Sequence, residues 1–224
     1  MRPLRSRHAF SLIELLVVIA ISGTLLAMAL PSLGRARAGA GATRCLAQLR
    51  SLGQLTNLYA DDHRDLMPRS QHSAFSHHAS PWGYAFFEHF AGEPYQPGHA
   101  AWDSVFNGHL RCPLDRRSVG WSYGFNVYFE LTASETLGPT WNRRASAPFP
   151  LRTVLFGELL PSTSADHAMP HFWVQFAAPP EIDPARHGSG TGAVFLDAHA
   201  STLPFQRLFD LDSSIDLFNP ASAH

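Results

Sequence analysis

The chain has 224 residues and not one lysine: all 17 basic positions are arginine, set against 18 acidic ones. Missing lysine reads as genome composition rather than mechanism. The formal net charge of -1 leaves no basic field over the chain, which predicts no nucleic-acid partner. Cysteine is nearly as scarce. Cys45 and Cys112 are the two in the chain, with no CxxC pair and no thiols at metal spacing, so the sequence carries no signature of a structural zinc site. Catalytic signatures are missing too: there is no G-x-S-x-G, no HExxH and no glycine loop of the phosphate-cradling kind. Glu158 and Asp183 stand in unpatterned contexts, and no enzyme is expected.

What the sequence does have is one long apolar run, HAFSLIELLVVIAISGTLLAMALP at 8–31. From Leu15 to Gly34 no charged residue appears. Twenty helical residues at about 1.5 Å each span roughly 30 Å, the thickness of a bilayer core. Arg2, Arg5 and Arg7 precede the run, and arginines on a short flank predict that this side stays in the cytoplasm. Everything after about Arg35 then lies outside, despite Arg35 and Arg37 near the far end. The lone carboxylate, Glu14, is the anomaly. An acid disfavours insertion by about 2.5–3.5 kcal/mol at a membrane centre and by less toward the edge, so a partner is needed. A plain signal anchor leaves the acid unexplained. A cleaved secretory signal could use Ala27-Met28-Ala29, giving a start at Leu30, but the run is long for that purpose.

The segment RSRHAFSLIELLVVIAI resembles the class III signal of type IV pilins and pseudopilins. In that family a dedicated peptidase cuts before a Phe, methylates the new amine and leaves a Glu four residues on. The matching positions here are Phe10 and Glu14. Gly23 and Pro31 match the helix-weakening Gly and Pro that family members often carry. The residue before the cut, commonly Gly, is Ala9, nearly as small, which is expected to slow cleavage without abolishing it. Cleavage would set an ammonium one helical turn from Glu14. A buried carboxylate needs a paired cation, so in a filament the amine of one subunit meets the Glu14 of a neighbour. Glu14 is then a docking residue.

Beyond the apolar run, GRARAGAGA (34–42) is glycine-rich and a poor helix former. Helical periodicity then returns: Cys45, Leu49, Leu52, Leu55 and Tyr59 form one stripe, with Arg44, Arg50 and Gln54 off it. One long helix is expected over residues 11 to about 61, weakened at Gly23–Pro31 and around the glycines. The runs SYGFNVYF (122–129), RTVLFGE (152–158) and GAVFLDAHAST (192–202) read as short strands between turns. The expected class is α+β: a long helix, half transmembrane and half amphipathic, packed on a small antiparallel sheet with long loops, pilin-like. The expected boundaries are a leader at 1–9, a membrane or filament-core helix at 10–34, its amphipathic continuation at 35–65 and a β-rich globular domain at 66–224.

The domain is also similar to one branch of the family, in which a histidine and an Asp-Gly are separated by nine residues. Members show an early Cys in an NLRQLG…Y helix, then CP.D…SY..N, then RH…F.DGH. This chain has CLAQLRSLGQLTNLYADD, RCPLDRRSVGWSYGFN and RHGSGTGAVFLDAHA. The spacing from His187 to Asp197 matches, but Ala198 stands where the family has Gly. A turn after Asp commonly needs a positive φ, which costs Ala about 1 kcal/mol. Residues 70–108 and 130–150 match nothing in this pattern.

With the domain outside, both thiols lie in an oxidising compartment. Cys45 is on the inward stripe and Cys112 opens CPLD, so a Cys45–Cys112 disulfide is expected, closing a loop of roughly 67 residues worth up to about 4 kcal/mol. Buried free cysteines are the alternative. The 13 histidines cluster at HSAFSHH (72–78) and HAMPH (167–171), and read as surface loop residues rather than ligands. His187, Asp197 and His199 are the better metal candidates, although an Asp that bonds its own hairpin turn is the preferred role for Asp197. DLDSSID (210–216) offers three carboxylates to calcium but lacks the glycine and closing Glu of an EF-hand. No cofactor is therefore expected, with calcium as the exception to test.

The resemblance implies a pseudopilin, a structural subunit of a type II secretion-like or type IV pilus-like filament. Its partners would be other pilin-like subunits, the prepilin peptidase and an inner-membrane assembly platform. It would sit in the inner membrane as a single-pass protein, N-terminus in the cytoplasm, before assembly. The alternative is a periplasmic binding protein or enzyme that uses the segment only as an anchor.

Overall fold

The computed structural model describes residues 11–117, 119–188 and 190–224. Helix α1 runs Leu12–Asp62 without a break, through Pro31. Packing divides the chain into two units, Met1–Ala40 and Gly41–His224, so the boundary falls inside this helix.

In the first unit, α1 is apolar on every face and exposed throughout, from Leu12 at 87% to Leu33 at 47%. Its mean hydropathy over an 18-residue window is 2.4, and it is the one described helix long and apolar enough to cross a membrane. Helices apolar all round are stable only in an apolar surrounding.

In the second unit the same helix becomes amphipathic. Cys45, Leu49, Leu52 and Leu55 are buried, as the stripe predicts, and Gln48, Gly53, Thr56 and Ala60 are buried with them. Tyr59 is half-buried and stacks on His63.

The main sheet has five strands: β1 (Tyr123–Asn126), β2 (Val154–Glu158), β3 (His167–Ala168), β4 (Thr191–Phe195) and β5 (Ala200–Leu203), in the spatial order β3-β1-β2-β4-β5. A separate hairpin pairs β6 (Phe209–Asp210) with β7 (Ile215–Asp216). The sheet is mixed rather than antiparallel throughout, because the two-residue β3 pairs parallel to β1 at the edge. Turns reshape the predicted runs: after Asn126, residues Val127–Phe129 turn into a 3₁₀ helix, and the run 192–202 divides into β4 and β5.

Helix α1 crosses the sheet over β4. Gly53 marks the crossing, since a Cβ there would stand 2.8 Å from Val194 Cγ2 and 2.9 Å from Ala198 Cα. Aromatic rings fill the remaining core. Trp82 meets Phe156 at 5.0 Å and Trp121 at 4.8 Å between ring centroids. Trp82 opens α2 (Trp82–Ala85), the first of three short helices, followed by α3 (Phe87–Ala91) and α4 (Trp102–His109). Two more, α5 (Ala133–Thr136) and α6 (Pro170–Gln175), lie in the later connections.

Candidate functional site

The processing positions Ala9 and Phe10 lie outside the described residues. Glu14 is exposed, and its carboxylate accepts the Ser11 backbone N–H at 2.9 Å, in the first turn of α1. A negative charge there also favours the helix dipole. Gly23 and Pro31 are both exposed within α1.

Three of the motif segments converge elsewhere, in the core. Cys45 projects from α1, Cys112 follows α4, Tyr123 opens β1, and His187 precedes β4. The β1–β2 register sets Tyr123 directly opposite Glu158, the last residue of β2. Side chains paired across antiparallel strands share one face, so Glu158 faces α1 beside Tyr123. One ligand-capable atom from each of Cys45, Cys112, Glu158 and His187 falls within 4.8 Å of all the others.

Glu158 is the hub. It is fully buried, and its Oε1 accepts from the Cys45 thiol at 2.8 Å and from His187 Nε2 at 3.0 Å. Its Oε2 accepts the Gly192 backbone N–H at 2.6 Å. Glycine at 192 makes room for this contact: a Cβ there would stand 2.8 Å from Leu49 Cδ1 and 3.1 Å from Glu158 Oε2, and both side chains would have to shift. The Tyr123 hydroxyl lies 3.0 Å from Cys45 Sγ and donates to Gln48 Oε1 at 2.8 Å.

Electrostatics follow from this crowding. Burial opposes ionisation of Glu158, yet hydrogen bonds and charge from His187, with those from Cys45 and Gly192, hold its carboxyl below the ordinary range. Burial likewise opposes charge on His187, but Cys112 and Glu158 outweigh it and raise the imidazole to about 9. The two thiols split: burial, Cys112 and Glu158 push Cys45 up. Hydrogen bonding from Cys45, against burial and with help from His187, brings Cys112 down to about 6. A salt-bridge network flanks the hub. Arg186 reaches Asp115 at 3.3 Å and Asp183 at 3.2 Å, while Arg117 holds Asp115 at 2.7 Å.

The disulfide expected between Cys45 and Cys112 is not what the structure holds. Both are buried free cysteines, and Cys45 Sγ is engaged by Glu158 and Tyr123. His187, Asp197 and His199 do not form one constellation either. Asp197 sits in the β4–β5 turn, where its Oδ1 accepts the His199 backbone N–H at 3.1 Å and meets His199 Nδ1 at 2.6 Å. The turn intervenes between them, closed by the Ala198 N–H on Phe195 O at 2.8 Å, with Ala198 at φ +70°.

The histidine loops divide. His72, His77 and His78 are exposed, but His171 is buried in α6, where burial and His72 lower it to about 4. In 210–216 the Asp210 carboxylate accepts from the Ser213 hydroxyl at 2.7 Å, and Asp216 accepts the Phe218 and Asn219 amides at 3.1 Å each. Both acids serve their own hairpin.

Glu158 is the residue sequence reading missed. Its one signal is a carboxylate ending an all-apolar strand run, LFGE, where a solvent-facing acid would break the pattern.

Comparison with protein families matches the prokaryotic N-terminal methylation motif to residues 4–30. No curated protein and no solved structure matches the chain. The match ends before the globular unit begins, and what it establishes is that this chain carries the prepilin-type N-terminal signal of type IV pilins and pseudopilins.

Proposed function

We propose that the protein is a pseudopilin-like structural subunit, inserted as a single-pass precursor, cut before Phe10, N-methylated and packed through α1 into a type II secretion-like or type IV pilus-like filament. The observation that carries this reading is a coincidence on one segment. The methylation motif at 4–30 overlies a helix whose apolar side chains are exposed on all faces and whose carboxylate stands at the start. Lipid satisfies such a helix before assembly and neighbouring helices satisfy it afterwards, while the new N-terminal ammonium of one subunit pairs with Glu14 of the next. Breaking a buried ion pair by removing one partner costs about 3–5 kcal/mol, which gives the pairing enough weight to set register. The peptidase and an inner-membrane platform are the partners this reading requires, and the arginines at 2, 5 and 7 support a cytoplasmic N-terminus.

Mass spectrometry of the mature N-terminus tests it. A methylated chain starting at Phe10 is expected; a start at Leu30 means ordinary secretion, and an uncut chain means a plain anchor. Glu14→Ala should insert as well as the parent or better, because a costly carboxylate is gone. Its incorporation into filaments should fall more than about tenfold, given the size of the lost pair. Normal assembly of Glu14→Ala would remove the docking role.

A further inference from the structure

We propose that Cys45, Cys112, Glu158 and His187 are the four ligands of a structural zinc ion that fastens the second half of α1 to the sheet domain. Geometry is the first ground. Zinc bonds of about 2.3 Å to sulfur and about 2.0–2.2 Å to nitrogen or oxygen imply separations of roughly 3.3–3.8 Å between the donors of a tetrahedron. The four donor atoms here already lie within 4.8 Å of one another, with the carboxylate 2.8 Å from one sulfur and 3.0 Å from the imidazole. Small side-chain adjustments carry this cluster to tetrahedral spacing.

The donor set is the second ground. Two thiolates, an imidazole and one carboxylate oxygen suit zinc, whereas magnesium and calcium favour all-oxygen shells. A bound zinc ion deprotonates its thiol ligands, so the occupied site would hold two thiolates and a carboxylate, three negative charges in the core. Uncompensated buried charge is expensive, and a divalent cation leaves a single excess charge beside Arg186, whose side chain is 3% exposed.

Closure is the third ground. Cys45 and Glu158 are 0% exposed and Cys112 is 1% exposed, as expected of a structural site that leaves no position open for water or substrate. Supporting contacts are already in place: the Gly192 amide holds the second Glu158 oxygen, and the Tyr123 hydroxyl approaches Cys45. Each ligand comes from a different segment, so the ion would do for this loop-rich unit what the expected disulfide was to do. The inference is independent of the filament role.

The test uses the full chain, purified in detergent without chelator from zinc-supplemented cells. Elemental analysis should find about one zinc per chain. Titration of thiols on chain denatured in chelator without reductant should find both cysteines reactive. Cobalt replacing the zinc should give the visible bands and thiolate charge-transfer absorption of a tetrahedral site. Cys112→Ser and Glu158→Gln should each lower zinc content at least about tenfold, while His199→Ala, at an exposed turn, keeps it. Where those variants fail to fold, the parent chain alone decides. No zinc with no reactive thiol would mean a disulfide and overturns the proposal. So would two reactive thiols with no zinc bound even after dialysis against zinc chloride, or zinc retained in full by both folded variants.

Discussion

Helix α1 is one element with two opposite solvents. Over residues 12–33 its leucines, isoleucines and valines are exposed, Ile19 at 62%, whereas Leu49 and Leu52 further along are 0% exposed. Glycines differ in the same way: a Cβ at Gly23 would meet nothing within 4 Å, but at Gly53 it would collide with the β4–β5 hairpin. Secondary structure therefore carries no information about which half does what. Periodicity does. The first half repeats apolar residues on every face and keeps one acid, which fits a helix whose partners are other molecules. The second half confines its apolar residues to a stripe, which fits a helix whose partner is its own chain.

The sharpest way to break this contrast is truncation of one leucine in each half. Leu49→Ala empties a fully buried position and should cost the globular unit about 2–5 kcal/mol. Leu16→Ala, at an exposed site, should leave thermal unfolding of that unit within about 0.5 kcal/mol of the parent. Circular dichroism melts of the full chain in detergent measure both, and equal losses would mean that the halves are not energetically separate.

A smaller contrast comes from the glycines. Gly23→Ala has open space and gains helix propensity of about 1 kcal/mol. Gly53→Ala gains the same propensity but forces a methyl to within 3 Å of Val194 and Ala198, overpacking that costs about 1–3 kcal/mol. The expected outcome, read from the same melts, is a folded unit unchanged in the first case, where the gain stays in the exposed half of the helix, and weakened in the second.

The same physics decides what was legible in the sequence. The Cys45–Leu55 stripe was, because a 3.6-residue repeat is a local signal. So were β2 and the β4–β5 hairpin, whose apolar runs end in turn residues. The short helices of residues 70–108 were not: four to eight residues give too few turns to show a period, and it is rings such as Trp82 and Trp102, packed with Phe87 and Trp121, that hold them. Strand β3 was hidden for a similar reason, since two residues beside a histidine cluster carry no alternation. The buried cluster was half visible. Cys45, Cys112 and His187 stand in motif segments, but each is a single residue from a separate piece of chain. Glu158 becomes meaningful only when the β1–β2 register sets it opposite Tyr123. Metal signatures in sequence depend on ligand pairs at short spacing, and this cluster has none.

The finest test of the contrast is at the turn that lies over α1. Ala198 has φ +70°, a left-handed conformation that costs an L-residue roughly 1–2 kcal/mol and that glycine adopts freely. The turn forms nonetheless, because Asp197 bonds the His199 amide and Ala198 bonds Phe195 across it. Ala198→Gly should therefore stabilise the globular unit, by less than the full strain, since glycine also gives the unfolded chain more freedom to lose; a gain of about 0.5–1 kcal/mol is expected. It should also ease Gly53→Ala only in part. The substitution removes the Ala198 methyl, but Ala198 Cα would remain 2.9 Å and Val194 Cγ2 2.8 Å from the new Cβ at 53. A double-mutant cycle on thermal stability measures this coupling. Full rescue would show that the methyl alone makes the contact and that the hairpin backbone yields to α1; no coupling at all would show that the turn does not rest on the helix.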